Sequence, residues 1–297
     1  MTRTLLVAAL VAILSAPAAL AASFEEMFPG VAEQMPEDLR PGLEAMDLKQ
    51  GHTQIGAIAS IDVPEGYYFL GPKDAAFVLT TLWGNPDASQ TLGMLFPRDR
   101  SPVDGATWGA EITFDEIGYV SDEDAKGYDY DALLAEMQAD TKEDNKWRDQ
   151  NGYARVDLLG WAAEPHYDLE SRKLYWAKRL KFADNEGETL NYNIRALGRK
   201  GVLVVNFIAG MDQFDDVEAA VPDVLTMVNF TDGNRYSDFD PKIDTVAAVG
   251  IGGLIAGKVL AKTGLLAMGL VFLKKFGVVL LLPLLGLKRL FSRRGKD

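Results

Sequence analysis

The chain has 297 residues, 30 basic and 43 acidic side chains, two histidines and no cysteine. The lack of cysteine excludes disulfides, thiolate chemistry and Cys-ligated zinc or iron–sulfur centres, and His52 and His166 alone cannot build a three-histidine metal site. Residues 23–244 hold 20 basic and 42 acidic side chains, a net of −22, whereas residues 245–297 carry +8; so acidic a middle repels polyanions and argues against nucleic-acid binding.

Arg3 opens an apolar run over residues 5–14, followed by Ser15, Ala16, Pro17 and a small-residue close at Ala19-Leu20-Ala21. That pattern reads as a secretory signal peptide over residues 1–22, cut near Ala21 or Ala22, with an apolar core too short for a comfortable membrane span. Residues 24–48, rich in Pro, Glu and Met, read as an N-terminal arm with one short helix. A strand is expected over residues 54–61, a turn at Val63-Pro64-Glu65-Gly66 and a second strand over 67–70. Pro72 then opens a helix with Ala75, Val78, Leu79 and Leu82 on one face and Gly84 beyond its end. Strands follow over residues 92–96 and 108–114.

A long helix is expected over residues 130–148, capped by Asp129 or Asp131, with Leu133, Leu134, Met137 and Trp147 facing inward. Two strands follow, over residues 154–160 and 174–182. In residues 190–196, Leu190, Tyr192, Ile194 and Ala196 alternate with polar residues, which predicts a strand with one buried face and one solvated face. Gly198-Arg199-Lys200-Gly201 turns that strand into an almost wholly apolar one over residues 202–209. Asp212 is expected to cap a last helix bearing Phe214, Val217, Val221, Val224 and Leu225, with Pro222 as a kink point. Residues 234–244 are polar and read as a connector. The order predicts one α+β domain over residues 23–244, an antiparallel sheet packed against helices.

Residues 245–297 read as a C-terminal membrane anchor with a basic tail. In one version roughly residues 254–273 cross the bilayer, from Leu254 to Leu273; Lys258 and Lys262 snorkel, and the stretch after Lys274 and Lys275 lies on the inner leaflet. In the other, residues 265–287 cross with Lys274 and Lys275 near mid-depth, so the first version costs less. Either way the positive-inside tendency puts the C-terminus in the cytoplasm and the acidic domain outside. Gly250, Gly253 and Gly257 offer a small-residue face for close helix packing, which suggests a homo-oligomer.

Candidate chemistry is sparse. Gly250-x-Gly252-Gly253 lacks the strand-to-helix setting of a nucleotide loop, and Asp232-x-Asn234 lacks the rest of a calcium loop. His166 and Asp168 could do acid–base work. Asp122, Glu123, Asp124, Asp129 and Asp131 crowd the start of the long helix, where acidic residues suit the macrodipole or could bind a cation. Trp161 and Trp176, with Tyr167 and Tyr175, could line a ligand wall. Asn191, Asn193 and Arg195 share one strand face with Arg199 in the next turn, and form the most suggestive binding set. No cofactor is expected.

Longer segments carry a resemblance. They are Trp83-Gly84-Asn85-Pro86, Gly118-Tyr119-Val120-x-Asp122, Gly160-Trp161-x-x-Glu164-Pro165-x-Tyr167-Asp168, Leu174-x-Trp176-Ala177, the run from Thr189 to Leu203, and Leu254-Ile255-Ala256-Gly257-Lys258 with Ala261, Lys262 and Gly264. Together they resemble the bacterial membrane-anchored proteins of domain of unknown function 2167. The resemblance implies an exported domain with a C-terminal membrane segment, and brings no activity, cofactor or catalytic residue. The element order is also similar to the fold of the photosystem II extrinsic protein P, an analogy that transfers no function. The expected protein is a non-enzymatic binding or adaptor module in the bacterial inner membrane, facing the periplasm. Its partners would be the lipid bilayer and a membrane or envelope protein. The alternatives are a carboxylate-dependent envelope hydrolase and a small-ligand or cation sensor.

Overall fold

The computed structural model describes residues 20–257 apart from Lys126. It begins with strand β1 (Leu20–Ser23), where Ser23 then caps helix α1 (Phe24–Met27) in a reciprocal box with Glu26. Helix α2 (Arg40–Glu44) leads into β2 (Asp47–Ile55) and β3 (Ala59–Val63). The single strand expected over residues 54–61 is therefore a hairpin, because Gly56 sits at φ 55°, a left-handed conformation open to glycine at no steric cost. Strand β4 (Tyr67–Leu70) falls on its expected residues. Helix α3 (Pro72–Phe77) starts at Pro72, then widens into a π-turn over Val78–Leu82 that is closed by the Trp83 N–H on the Val78 carbonyl at 2.9 Å. Next come β5 (Gly93–Pro97) and β6 (Gly109–Asp115).

Helix α4 (Tyr130–Gln150) is capped by Asp129, whose side chain accepts the Ala132 N–H at 2.9 Å. Strands β7 (Val156–Asp168) and β8 (Lys173–Phe182) form a long antiparallel hairpin with three register shifts, so β7 reaches eight residues past its expected end. Strands β9 (Thr189–Leu197) and β10 (Val202–Gly210) bracket the expected turn. A 3₁₀ turn holding Asp212 precedes α5 (Phe214–Met227), so Asp212 is not the cap; Gln213 occupies that position, and the helix continues through exposed Pro222. The last elements are β11 (Val228–Phe230) and α6 (Ile251–Ala256).

The chain divides into two compact units. Among the described residues, the first comprises 20–114, Gly187–Tyr192 and Val204–Asn234; the second comprises Asp115–Glu186, Asn193–Leu203 and 235–257. Strands β9 and β10 each contribute a stretch to both. In the first unit β3 lies between β11 and β2, and the antiparallel order continues through β4 and β5 to β6, with β1 paired to β2. Helix α3 packs on β4 and β5, and α5 on β3 and β11. Phe24, Phe28, Ala32, Leu43 and Met46 lie buried in its core with Tyr68 and Phe96. What reads as an N-terminal arm thus supplies part of the core.

In the second unit α4 packs on β7, and α6 packs against α4. Its core combines Met137, Leu158, Leu174, Trp176, Leu197 and Val202 with Ile251, Leu254 and Ile255. Trp147 is not inward: it is 51% exposed and stacks on Tyr153 at 5.6 Å.

The anchor expected from Thr245 begins inside this folded unit. Leu254 is 2% exposed in its core, and Gly257 closes α6 in the left-handed conformation. Asp124 and the Tyr128 ring fill the space over Gly250 and Gly252, so part of the small-residue face admits neighbours from its own unit. Among the described residues, no helix is long and apolar enough to cross a membrane. Lys258, Lys262, Leu273, Lys274, Lys275 and the signal-peptide core lie outside the described residues.

Candidate functional site

The second unit places two constellations on its hairpin strands. The first surrounds Asp122, in the segment leading to α4. Its carboxylate accepts the Tyr167 hydroxyl at 2.8 Å and the Tyr236 hydroxyl at 3.0 Å, and pairs with the Arg172 guanidinium. Arg172 ends the β7–β8 turn at φ 56° and lies over the Tyr236 ring, 5.1 Å from its centroid. Tyr119 stacks on both Tyr236 and Phe239. Burial pushes the Asp122 carboxyl up, but bonds from Tyr167 and Tyr236 and the Arg172 charge outweigh it and hold it below the usual range. Burial and the Asp122 bond raise the Tyr167 hydroxyl; burial, Tyr119 and Asp122 raise that of Tyr236. A carboxylate so occupied is a poor base, and the phenols stay protonated at neutral pH. This cluster ties chain segments together.

Two more acidic residues of this stretch, Asp124 and Asp129, are also committed. Asp124 accepts the Ile251 N–H at 3.2 Å at the start of α6 and bonds the Tyr128 hydroxyl; Asp129 caps α4. Among the described residues, no three metal-ligating side chains converge.

The second constellation lies on β7, β8 and β9. Trp161 stands opposite Lys178 in the β7–β8 register. Trp176 and Lys178, two residues apart on β8, point to the same face. The Arg195 guanidinium lies 5.2 Å from the centroid of the Trp176 ring. Trp176 is 1% exposed, and its indole N–H has no hydrogen-bond partner; the Trp161 indole donates to the Tyr130 carbonyl at 3.3 Å.

Lys178 and Arg195 are half-buried along their length. Burial, with Arg195 adding repulsion, brings the Lys178 ammonium down to about 8; burial brings Arg195 to about 10 despite the countering charge of Asp115. Asp115 is itself raised by burial. The group holds two cations against one reluctant carboxylate.

The sequence-derived candidates divide. Arg195, Trp161 and Trp176 come together, and Lys178 joins them without having been expected; its signal was its place two residues after Trp176. Asn193 is 4% exposed, so the face expected to be solvated is covered there. Asn191 lies in the first unit and donates to Asn206 at 2.6 Å. Arg199 pairs with Asp244 at 2.7 Å, and the Asp244 side chain is 6% exposed, which makes the pair a turn fastener.

His166 and Asp168 do not assemble into an acid–base pair. Asp168 accepts the Glu170 N–H at 2.9 Å and the Ser171 hydroxyl at 2.7 Å, and these bonds lower its carboxyl. His166 is exposed beside the Tyr175 ring at 5.0 Å. Arg172 and Tyr236 were not expected at any site.

The family described as "Protein of unknown function (DUF2167)" matches residues 47–285. No curated protein matches the chain. Among solved structures, the chain is similar to the solution structure of cyanobacterial PsbP (CyanoP) from Synechocystis sp. PCC 6803. Identity is 14%, coverage is 58% of this chain and 86% of that one, and the TM-score is 0.34. A likeness that distant carries nothing to the site.

Proposed function

The chain belongs to the family Protein of unknown function (DUF2167), and from that premise we propose a membrane-tethered, non-enzymatic binding module whose acidic domain faces the extracytoplasmic side. The observation that carries this reading is the charge and hydropathy split of the sequence: net −22 over residues 23–244, then an apolar run closed by Lys288, Arg289, Arg293, Arg294 and Lys296. The signal-peptide pattern of residues 1–22 supports export. The site chemistry supports binding over catalysis, because Asp122, Asp124, Asp129 and Asp168 are engaged in caps, turns and an ion pair.

The described structure also bears on where the crossing starts. A span beginning at Leu254 would pull Leu254 and Ile255 out of the second unit's core and drag Ile251 with them. Vacating three such positions costs about 2–5 kcal/mol each. Two lysines near mid-depth cost about 2.5–3.5 kcal/mol each. These costs favour a crossing that starts beyond Gly257, nearer the 265–287 version.

Membrane fractionation of the full chain tests the tether. Full-length protein should stay with the membrane after an alkaline carbonate wash, and removal of residues 258–297 should release the domain. In intact spheroplasts the domain should be open to added protease. Recovery of the full chain in the soluble fraction, or protection of the domain until the membrane is broken, refutes the reading.

A further inference from the structure

We propose that Lys178 and Arg195, walled by Trp161 and Trp176, form a binding site for a free oxyanion, the phosphate or carboxylate group of a small soluble ligand. The proposal deepens the binding role above and rests on it, but it does not need the tether.

Three observations converge. The first is a charge imbalance: in a chain with 43 acidic and 30 basic residues, the charged neighbour of half-buried Lys178 is another cation, Arg195, and the one countering carboxylate, Asp115, stands beside Arg195. Like charges in a low-dielectric setting repel strongly unless an anion joins them. The second is a shortage of acceptors. Lys178 makes no hydrogen bond or ion pair among the described residues, and the buried Trp176 N–H has no acceptor. A buried donor without an acceptor is costly, so the native state of such a place tends to include something that accepts.

The third observation is the walls. Trp161 stands opposite Lys178, and Trp176 lies under the Arg195 guanidinium. Indole surfaces limit water and raise the value of each charge contact. A planar guanidinium matches the paired oxygens of carboxylate or phosphate, and an adjacent ammonium adds a point charge. The structural alternative, cations merely covering tryptophan, would be met by Arg195 alone and leaves Lys178 without a role.

The test uses the full-length chain in dodecyl maltoside micelles, which carry no phosphate. Thermal unfolding is followed with inorganic phosphate, with acetate, and with sodium chloride at matched ionic strength. A separate arm adds phosphatidylglycerol. Phosphate or acetate near saturation should raise Tm by about 5 °C or more over chloride.

Lys178→Met should fold at least as stably as the parent in chloride and lose that rise; Lys178→Arg should recover most of it. Equal behaviour in oxyanion and chloride overturns the proposal, as does an undiminished rise in Lys178→Met or a rise with phosphatidylglycerol alone. Membrane retention without any oxyanion effect refutes this site and leaves the tethered module standing.

Discussion

The two units solve the same packing problem with different materials. The first is closed by rings and aliphatic chains: Phe24 on Phe28, Phe28 on Tyr68, and Tyr68 stacked on Phe96 at 5.4 Å, with Leu43 and Met46 beside them. The second has an apolar cluster of its own, but charged side chains are set into its framework: Asp122 with Arg172, Arg199 with Asp244, and Lys178 near Arg195. Apolar burial stabilises in proportion to area and is indifferent to pH. Ion pairs and lone cations make stability depend on protonation. The first unit is thus built chiefly for holding, whereas the second accepts electrostatic cost in order to place charges.

Substitutions put that contrast to the test. The largest effect is expected for Phe96→Ala, which opens a cavity in the first unit and should cost about 3–5 kcal/mol in denaturant unfolding, by the same amount at pH 5 and pH 8. A marked pH dependence there would erase the contrast.

Asp122→Ala should cost about 1–3 kcal/mol at pH 7, because it leaves two phenols and a guanidinium without their shared acceptor. The Asp122 carboxyl is lowered in the folded state, so its contribution is present above the unfolded carboxylate value and is lost as pH falls through the folded one. Stability curves of the parent and the variant should therefore converge in acid; parallel curves down to pH 2 would contradict this.

Lys178→Met should gain on the order of 1 kcal/mol at pH 7 when no ligand is present. The ammonium is brought down from 10.5 to about 8, so the folded state holds the proton less well than the unfolded one. The penalty is full below about pH 8 and fades toward 10.5, and the gain in the variant should shrink over that window. Trp147→Ser marks the small end: the ring is 51% exposed, and the loss should stay within about 0.5 kcal/mol in the same unfolding assay.

What the sequence discloses follows from how local each cause is. The Asp129 cap, strand β4 and the buried positions Leu190, Tyr192 and Ile194 depend on residues within a few positions, and the structure has them where they are expected. The bend at Gly56 is hidden because Ile55, Ala57 and Ile58 keep the apolar run unbroken. Alternation says that the two faces of β9 differ, and it cannot say that Asn193 will also be covered.

Two further features had no local sign. The Asp122 cluster joins residues 114 positions apart, from Asp122 to Tyr236. Ile251, Leu254 and Ile255 have the same composition whether lipid or protein surrounds them; only tertiary contact separates a six-residue core helix from the start of a span.

Strand β1 imposes an order of events. Ala21 and Ala22 are paired to Lys49 and Leu48 in the folded protein. A protease reads its substrate as a loose extended chain, and a peptide bond already zipped into a sheet is withheld from it. A signal-peptide cut between Leu20 and Ser23, as proposed above, would have to come before that zipper closes. After such a cut the new terminus retains only the last residue or two of its strand. Maturation and folding would then compete for the same four residues, with the clock set by how quickly β2 arrives.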